Sequence, residues 1–298
     1  MKFWKMNGAG NDFIIINNLI EKIPADRLPV IAKTLCERHM SIGADGFMAV
    51  GEPTEGSGAD CRMLFFNSDG SIGEMCGNGA RCISRYCLEN GIGHDGLVTL
   101  ETTAGIVTGK RITERLFRIR LNDPSIIETE KLLSVDGKDI RCSYVVLGDP
   151  GIPHLAVNYT EELRDLCGGA DHLMDADRSI LFDIGRKLRF HEALPKGANV
   201  NFYELTGENE LDELTYERGV EDFTYACGTG TGAVVAALTL TDRVNGDNVR
   251  VNVTGGTLYI DVEEIDEENA SVSVHGLFLT GPTNIVCKGE VTDEDLVL

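Results

Sequence analysis

Two cysteines stand in matching short contexts, Met75-Cys76-Gly77-Asn78-Gly79-Ala80 and Ala226-Cys227-Gly228-Thr229-Gly230. Each is followed by an apolar-periodic stretch, Ala80–Tyr86 and Ala233–Leu238, whose spacing predicts a helix. Each is preceded by a turn-rich or strand-like lead-in, Asn67-Ser68-Asp69-Gly70 and Phe223-Thr224-Tyr225. A cysteine at a helix N-terminus meets unpaired amide N–H groups and the positive end of the macrodipole, which lower a thiol's pKa. One such residue would suggest a nucleophile. Two matched ones suggest a pair of proton-transfer groups facing each other.

The elements that must position these thiols read as two halves of one plan. The cysteines are 151 positions apart, about half of the 298-residue chain. Nine residues before Cys76 is Asn67, and nine before Cys227 is Arg218; Asp69-Gly70 and Arg218-Gly219 supply turn chemistry in each half. Short β-branched or aromatic runs bounded by Gly, Asp or Asn predict strands at Phe13–Asn17, Gly46–Gly51, Arg62–Phe66, Val98–Thr103, Ile106–Lys110, Phe117–Leu121 and Tyr144–Leu147. The second half adds Asn199–Glu204, Leu214–Glu217, Val249–Val253, Thr257–Glu263 and Ala270–Phe278. Gly105, Gly109 and Gly255-Gly256 read as hairpin turns, which favours antiparallel pairing. Helices are expected at Ala25–Glu37, after each cysteine, at Thr160–Leu166 and at Arg178–Leu188. The mixture reads as α+β, with sheet wrapped around one long helix per half. Asn122-Asp123-Pro124-Ser125, the least strand-like region, reads as the crossover between halves.

Composition narrows the function classes. A formal charge of −21 argues against nucleic acid or an anionic membrane as partner, since both select basic surfaces. No early segment has signal-peptide character, and Phe13-Ile14-Ile15-Ile16 is too short to span a bilayer. Nine cysteines at irregular spacing suggest thiols in a reducing compartment, hence a cytoplasmic protein. Cys76, Cys82 and Cys87 lack metal-site spacing, and no metal is expected. Cys36, Cys61, Cys82, Cys87, Cys142, Cys167 and Cys287 read as small buried hydrophobes.

Six segments together resemble the diaminopimelate epimerase family: Asn7-Gly8-Ala9-Gly10-Asn11-Asp12-Phe13, Asn67-Ser68-Asp69-Gly70-Ser71, Cys76-Gly77-Asn78-Gly79-Ala80-Arg81-Cys82, Gly197-Ala198-Asn199-Val200-Asn201-Phe202, Tyr216-Glu217-Arg218-Gly219 and Ala226-Cys227-Gly228-Thr229-Gly230. They occur in the family's order and cover nearly the whole chain. The resemblance implies two similar domains, each a barrel-like, mostly antiparallel sheet around a central helix, with the active site in the cleft between them. The domains would be 1–122 with 277–298, whose last strand returns to complete the first domain, and 123–276. It implies interconversion of LL- and meso-2,6-diaminopimelate in lysine biosynthesis, with no cofactor and no metal, and a homodimer as a family expectation.

That reaction removes a proton from one face of an α-carbon and returns one to the other, so two groups in opposite protonation states are the direct solution. The resemblance gives these roles to Cys76 and Cys227. The carbanion's charge moves onto its carboxylate and needs preorganised donors, which the backbone N–H groups of Gly77-Asn78 and Gly228-Thr229 could supply. The distal ammonium and carboxylate fit Glu217 and Arg218, the latter as a bidentate fork. Asn11, Asn67 and Asn199 offer uncharged donors and acceptors. His154, in Ile152-Pro153-His154, and Glu217 would tune thiol pKa values. Two positions depart from the family pattern, Gly46 where many members have Gln and Ile152 where many have Asn. Other readings stay open: a proline or hydroxyproline racemase, a thiol redox protein without a Cys-x-x-Cys, and a dinucleotide module suggested faintly by Gly228-x-Gly230-x-Gly232.

Overall fold

Short strands with one buried face must find a second layer, and both halves of the chain answer this with a long buried helix. The computed structural model describes residues 1–73, 75–268, 271–292 and 294. The chain divides into two compact units, Met1–Ile119 with Thr280–Leu298, and Arg120–Leu279.

Unit 1 runs β1 (Lys2–Gly8), β2 (Asn11–Asn17), α1 (Asn18–Glu21), α2 (Leu28–Cys36), β3 (Gly46–Gly51), β4 (Cys61–Asn67), α3 (Gly77–Glu89), β5 (Leu97–Thr102), β6 (Gly105–Arg111) and β7 (Leu116–Arg120). Unit 2 runs β8 (Pro124–Val135), β9 (Lys138–Gly148), β10 (Gly151–Asn158), a π-helical turn (Tyr159–Leu163), a 3-10 turn (Leu173–Asp175), α4 (Arg178–Arg189), β11 (Asn199–Gly207), β12 (Glu210–Glu217), β13 (Asp222–Thr224), α5 (Gly228–Leu240), β14 (Val249–Val253) and β15 (Gly256–Glu268). The unit boundaries fall at the last residue of β7 and inside β16 (Ser271–Pro282), and β17 (Asn284–Glu290) pairs antiparallel with β1.

The two units repeat one pairing sequence. In unit 1, β1/β2 is antiparallel, β2/β3 parallel, β3/β4 antiparallel, β4/β5 parallel and β5/β6 antiparallel. In unit 2 the same alternation runs β9/β10, β10/β11, β11/β12, β12/β14 and β14/β15. The parallel steps follow from their connections, because only crossovers of a dozen or more residues carry helices. Here α2 and α4 occupy the first crossover of each unit, α3 and α5 the second. Helix α3 packs on β1, β2, β3, β5 and β6, and α5 on β8, β9, β10, β11 and β15, so each sheet curls around its helix. Both helices are buried nearly throughout. Helix α5 is apolar on every side, as a helix enclosed by sheet requires. The α+β, sheet-around-helix reading of the sequence therefore holds in each unit.

Several local expectations change. Gly109 lies inside β6 and not at a turn: a Cβ there would collide with Ser84 Oγ of α3, so glycine admits the helix. Pro124 already opens β8, where a first-residue proline costs no ladder bond. Tyr159–Leu163 forms only a single π-helical turn where a longer helix is predicted at Thr160–Leu166. Cys287 is exposed on β17, whereas the other six cysteines read as buried hydrophobes are buried. The expected strand Ala270–Phe278 begins at a residue outside those described, and β16 is described from Ser271. Among the described residues no helix is long and apolar enough to cross a membrane.

Candidate active site

Cys76 is the N-cap of α3 and Cys227 the N-cap of α5, with nearly the same extended backbone, φ −113 and ψ 115 against φ −115 and ψ 99. Both helices are 13 residues long. Neither helix start carries a side-chain cap of ordinary geometry, though the Gly230 N–H acts on the Cys227 thiol. The close approach of each helix start to its sheet depends on glycine. A Cβ on Gly79 would collide with Met48 Cε in unit 1, and one on Gly230 with Asn201 Oδ1 in unit 2. Met48 and Asn201 hold the same register position, opposite Ile15 in β2/β3 and Ala156 in β10/β11.

That register also corrects a sequence correspondence. Phe47 faces Phe66 in β3/β4 as Val200 faces Tyr216 in β11/β12, so the next residues, Asn67 and Glu217, are counterparts. Equal nine-residue spacing had matched Asn67 to Arg218; the connection in unit 2 is one residue longer.

In unit 1, Asn78 Nδ2 donates to Asn11 Oδ1 at 2.5 Å, and Asn78 Oδ1 accepts from Arg81 Nη2 at 2.8 Å. Asn11 Nδ2 reaches Asp45 Oδ2 at 3.3 Å. Asn11, Asn78 and Cys76's helix are thus drawn together, with Gly77 buried at the first helical position. Asn67 is exposed in its turn and donates to Ser71 Oγ at 2.9 Å. Gly46 is packed against Phe65, whose ring a Cβ would strike, so a longer residue at this position would displace that ring.

In unit 2, Asn199 Oδ1 accepts the Arg218 backbone N–H at 2.8 Å, and Arg218 Nη1 donates to the Lys196 carbonyl at 3.1 Å. These bonds fix the loop that presents Glu217 and Arg218. Thr229 Oγ1 lies 3.6 Å from Cys227 Sγ, and Gly228 is buried at the helix start. His154 is fully buried. Its Nδ1 is 3.5 Å from Asn201 Nδ2, while its Nε2 has no hydrogen-bond partner among the described residues. Burial, with Arg218's charge, pulls His154 down to about 3, so it is a neutral ring at ordinary pH. Asn201 Nδ2 donates to the Leu155 carbonyl at 2.9 Å, and Asn201 Oδ1 accepts from Thr215 Oγ1 at 2.9 Å.

The expectation of a lowered thiol pKa fails at Cys227. Burial, then the charge of Glu217, pushes that thiol well up, against the hydrogen bonds of Thr229 and the Gly230 N–H. Desolvation outweighs the helix terminus, and Cys227 rests as the thiol.

Sequence reading also missed a polar cluster beneath α5. Glu213 is fully buried and lies 2.5 Å from Thr231 Oγ1, which is 3.1 Å from the Cys227 carbonyl. One hydroxyl proton cannot serve both acceptors. Burial pushes Glu213 up to about 8, so near neutrality its O–H donates to Thr231 and Thr231 donates to Cys227. The signal was present in the alternation of β12, where Leu211, Glu213 and Thr215 share one face.

These two buried groups predict opposite pH effects on stability. Glu213 is raised from 4.5 to about 8, so stability is full below 4.5 and is lost as pH rises to about 8. His154 is lowered from 6.5 to about 3, so stability is full above 6.5 and is lost as pH falls to about 3. From 6.5 to 8 only Glu213 acts. Urea unfolding should lose about 2 kcal/mol across that window in the parent chain, and Glu213→Gln should remove the loss. An unchanged slope in the variant would contradict the buried acid.

Among the described residues no cluster of three or more His, Cys, Asp or Glu side chains could hold a metal ion. The diaminopimelate epimerase model matches residues 3–114 and 172–286. A diaminopimelate epimerase of Aquifex aeolicus is 35% identical, spanning 99% of this chain and 99% of its own. One from Methanocella arvoryzae is 34% identical over 98% of this chain and 96% of its own. Among solved structures, a hydroxyproline epimerase of Agrobacterium vitis with bound trans-4-hydroxy-L-proline superposes with a TM-score of 0.70 at 18% identity, over 99% of this chain and 94% of its own. A Bacillus anthracis phenazine biosynthesis protein of the PhzF family gives 0.67 at 16% identity, over 98% of both chains. At such identities these structures establish the fold alone.

Proposed function

The chain belongs to the diaminopimelate epimerase family, and from that premise we infer that it interconverts LL- and meso-2,6-diaminopimelate by proton transfer at one α-carbon, in lysine biosynthesis. The observation that carries this reading is the pair of N-cap cysteines, alike in backbone and set on repeated sheet–helix frames. One thiol serves each face of the carbon. The thiolate removes the α-proton, the opposite thiol donates its own, and the two exchange protonation states at each turnover. First-turn amides of Gly77-Asn78 and Gly228-Thr229 face the charge that builds on the α-carboxylate. Asn11, Asn67 and Asn199 orient the substrate, directly or by holding the loops that do.

Arg218 and Glu217 read the distal end as a carboxylate clamp and an ammonium acceptor. Arg218 Nη1 is steered by the Lys196 carbonyl, leaving the rest of the fork for a ligand. Arg218→Lys should raise KM about 10- to 100-fold, the value of a charge-assisted two-bond contact, with a smaller change in kcat. Unaltered KM and kcat/KM would remove Arg218 from substrate binding.

The reading is tested by incubating LL-diaminopimelate in deuterium oxide and separating the stereoisomers. Deuterium should enter one α-position as the meso form appears. Exchange into proline or hydroxyproline, with none into diaminopimelate, would favour the racemase alternative; that substrate has no distal charged pair for Glu217 and Arg218. A cytoplasmic location and a homodimer belong to the same proposal, measured by fractionation and sedimentation.

A further inference from the structure

Arg81, five residues after Cys76 on α3, is fully buried, yet among the described residues only one of its nitrogens finds a hydrogen-bond partner. Nη2 donates to Asn78 Oδ1 at 2.8 Å, while Nε and Nη1 have no hydrogen-bond partner among the described residues. No described carboxylate acts on it. The other arginine buried on this helix, Arg85, shows the ordinary solution, a 2.8 Å bond to Glu89 and a 2.5 Å bond to the Thr283 carbonyl.

A guanidinium cannot escape burial by releasing its proton near neutral pH. Burial brings Arg81 down only to about 10, so its charge persists. Such a charge is costly unless an anion answers it. Among the described residues, the ionisable groups that act on Arg81 are Cys82 and Cys76. Cys82 is itself fully buried and is pushed up to about 12, so it stays a thiol. Cys76, only partly buried at the helix start, remains.

Unit 2 provides the internal control. Five residues after Cys227 is Gly232, where no side chain is available and a Cβ would strike Leu121. The carboxylate acting on Cys227 near neutral pH is that of Glu217, because Glu213, pushed up to about 8, is largely protonated there. A buried cation thus stands on the helix that Cys76 opens, whereas a carboxylate, Glu217, acts on Cys227.

We propose that Arg81 is a positioning residue for the reaction: its fixed, buried charge selects the deprotonated form of Cys76, making that residue the resting base. Through Asn78 the same guanidinium also holds Asn11, so charge and substrate-orienting amides are set by one side chain. The proposal rests on the two-thiol reading, but its test does not require turnover.

The measurement is the pH dependence of Cys76 alkylation by iodoacetamide, followed by peptide mapping, in the full chain and in Arg81→Met and Arg81→Lys. In the parent chain Cys76 should titrate below the ordinary thiol value of about 8.5. In Arg81→Met the midpoint should rise by at least about one unit, a roughly tenfold loss of thiolate near neutrality. Its kcat should fall by a similar factor and KM for diaminopimelate should rise as Asn78 and Asn11 lose their anchor, whereas Arg81→Lys should restore most of the thiolate and of kcat. A parent midpoint at or above about 8.5 would overturn the proposal, even if Arg81→Met failed to fold. So would a folded Arg81→Met with an unmoved midpoint, or an Arg81→Lys shifted as far as the neutral variant. If Cys76→Ala were to retain epimerisation, the two-thiol reading would fall on that result, whereas the alkylation profile would still decide what Arg81 does to Cys76.

Discussion

Replacing Cys76 or Cys227 by alanine should each reduce epimerisation by about 10³-fold or more, in both directions. Positioned acid–base groups contribute about 10²- to 10⁴-fold apiece, and here each face of the carbon depends on a single thiol. The losses should not multiply in the double variant, because removing either thiol already interrupts the transfer. Serine at either position should leave slow turnover only, since a hydroxyl ionises far less readily than a thiol. Cys287→Ala, changing an exposed cysteine on β17, serves as the control and should leave kcat unaffected. Deuterium exchange assayed from LL- and from meso-diaminopimelate gives the answer; near-normal two-way turnover in either alanine variant would end the two-thiol mechanism.

Gly230→Ala should be the most damaging substitution of a single methyl group, lowering kcat about 10²-fold. Helix propensity alone predicts the opposite, a gain of about 1 kcal/mol for alanine over glycine. Packing decides against propensity, because the new Cβ would occupy the place of Asn201 Oδ1. That amide is pinned at both ends, by Thr215 and by the Leu155 carbonyl, and lies next to His154. Moving it would strand buried polar atoms at about 1–3 kcal/mol each and shift the start of α5 with Cys227. Gly79→Ala is the matched comparison. Its Cβ meets Met48 Cε, the far end of a flexible side chain that can swing aside. Activity and urea midpoints of the two variants should therefore diverge, with Gly79→Ala the milder; equal losses would show that the amide is not what makes Gly230 necessary.

The sequence was most legible where local pattern and turn chemistry act together. Gly46–Gly51 and the helices after Cys76 and Cys227 could be placed because an apolar period begins beside glycine or a turn. The parallel pairings could not be read, since hairpin glycines speak only for neighbouring strands, and β2/β3 and β10/β11 are joined across helical crossovers. Of the site, the cysteines, Arg218 and the asparagines announced themselves by type and motif. Glu213, Thr231, Asn201 and Thr215 did not, because a buried polar cluster in one unit has apolar counterparts in the other: Met48 stands where Asn201 does. A thiol's protonation was equally hidden. Helix position argued for thiolate at both cysteines, while at Cys227 burial and a carboxylate reverse the sign.

Unit 1 is assembled from both ends of the chain, with β17 laid antiparallel along β1 and all of unit 2 intervening in sequence. On the ribosome this imposes an order of completion. The residues of unit 2 are contiguous and emerge together, whereas β1 must wait with one edge unpaired until β17, which follows all of unit 2 in sequence, arrives. The unit that carries Cys76 therefore closes last, and a chain cut short before β17 would hold both cysteines and their helices yet leave the frame around the first of them open.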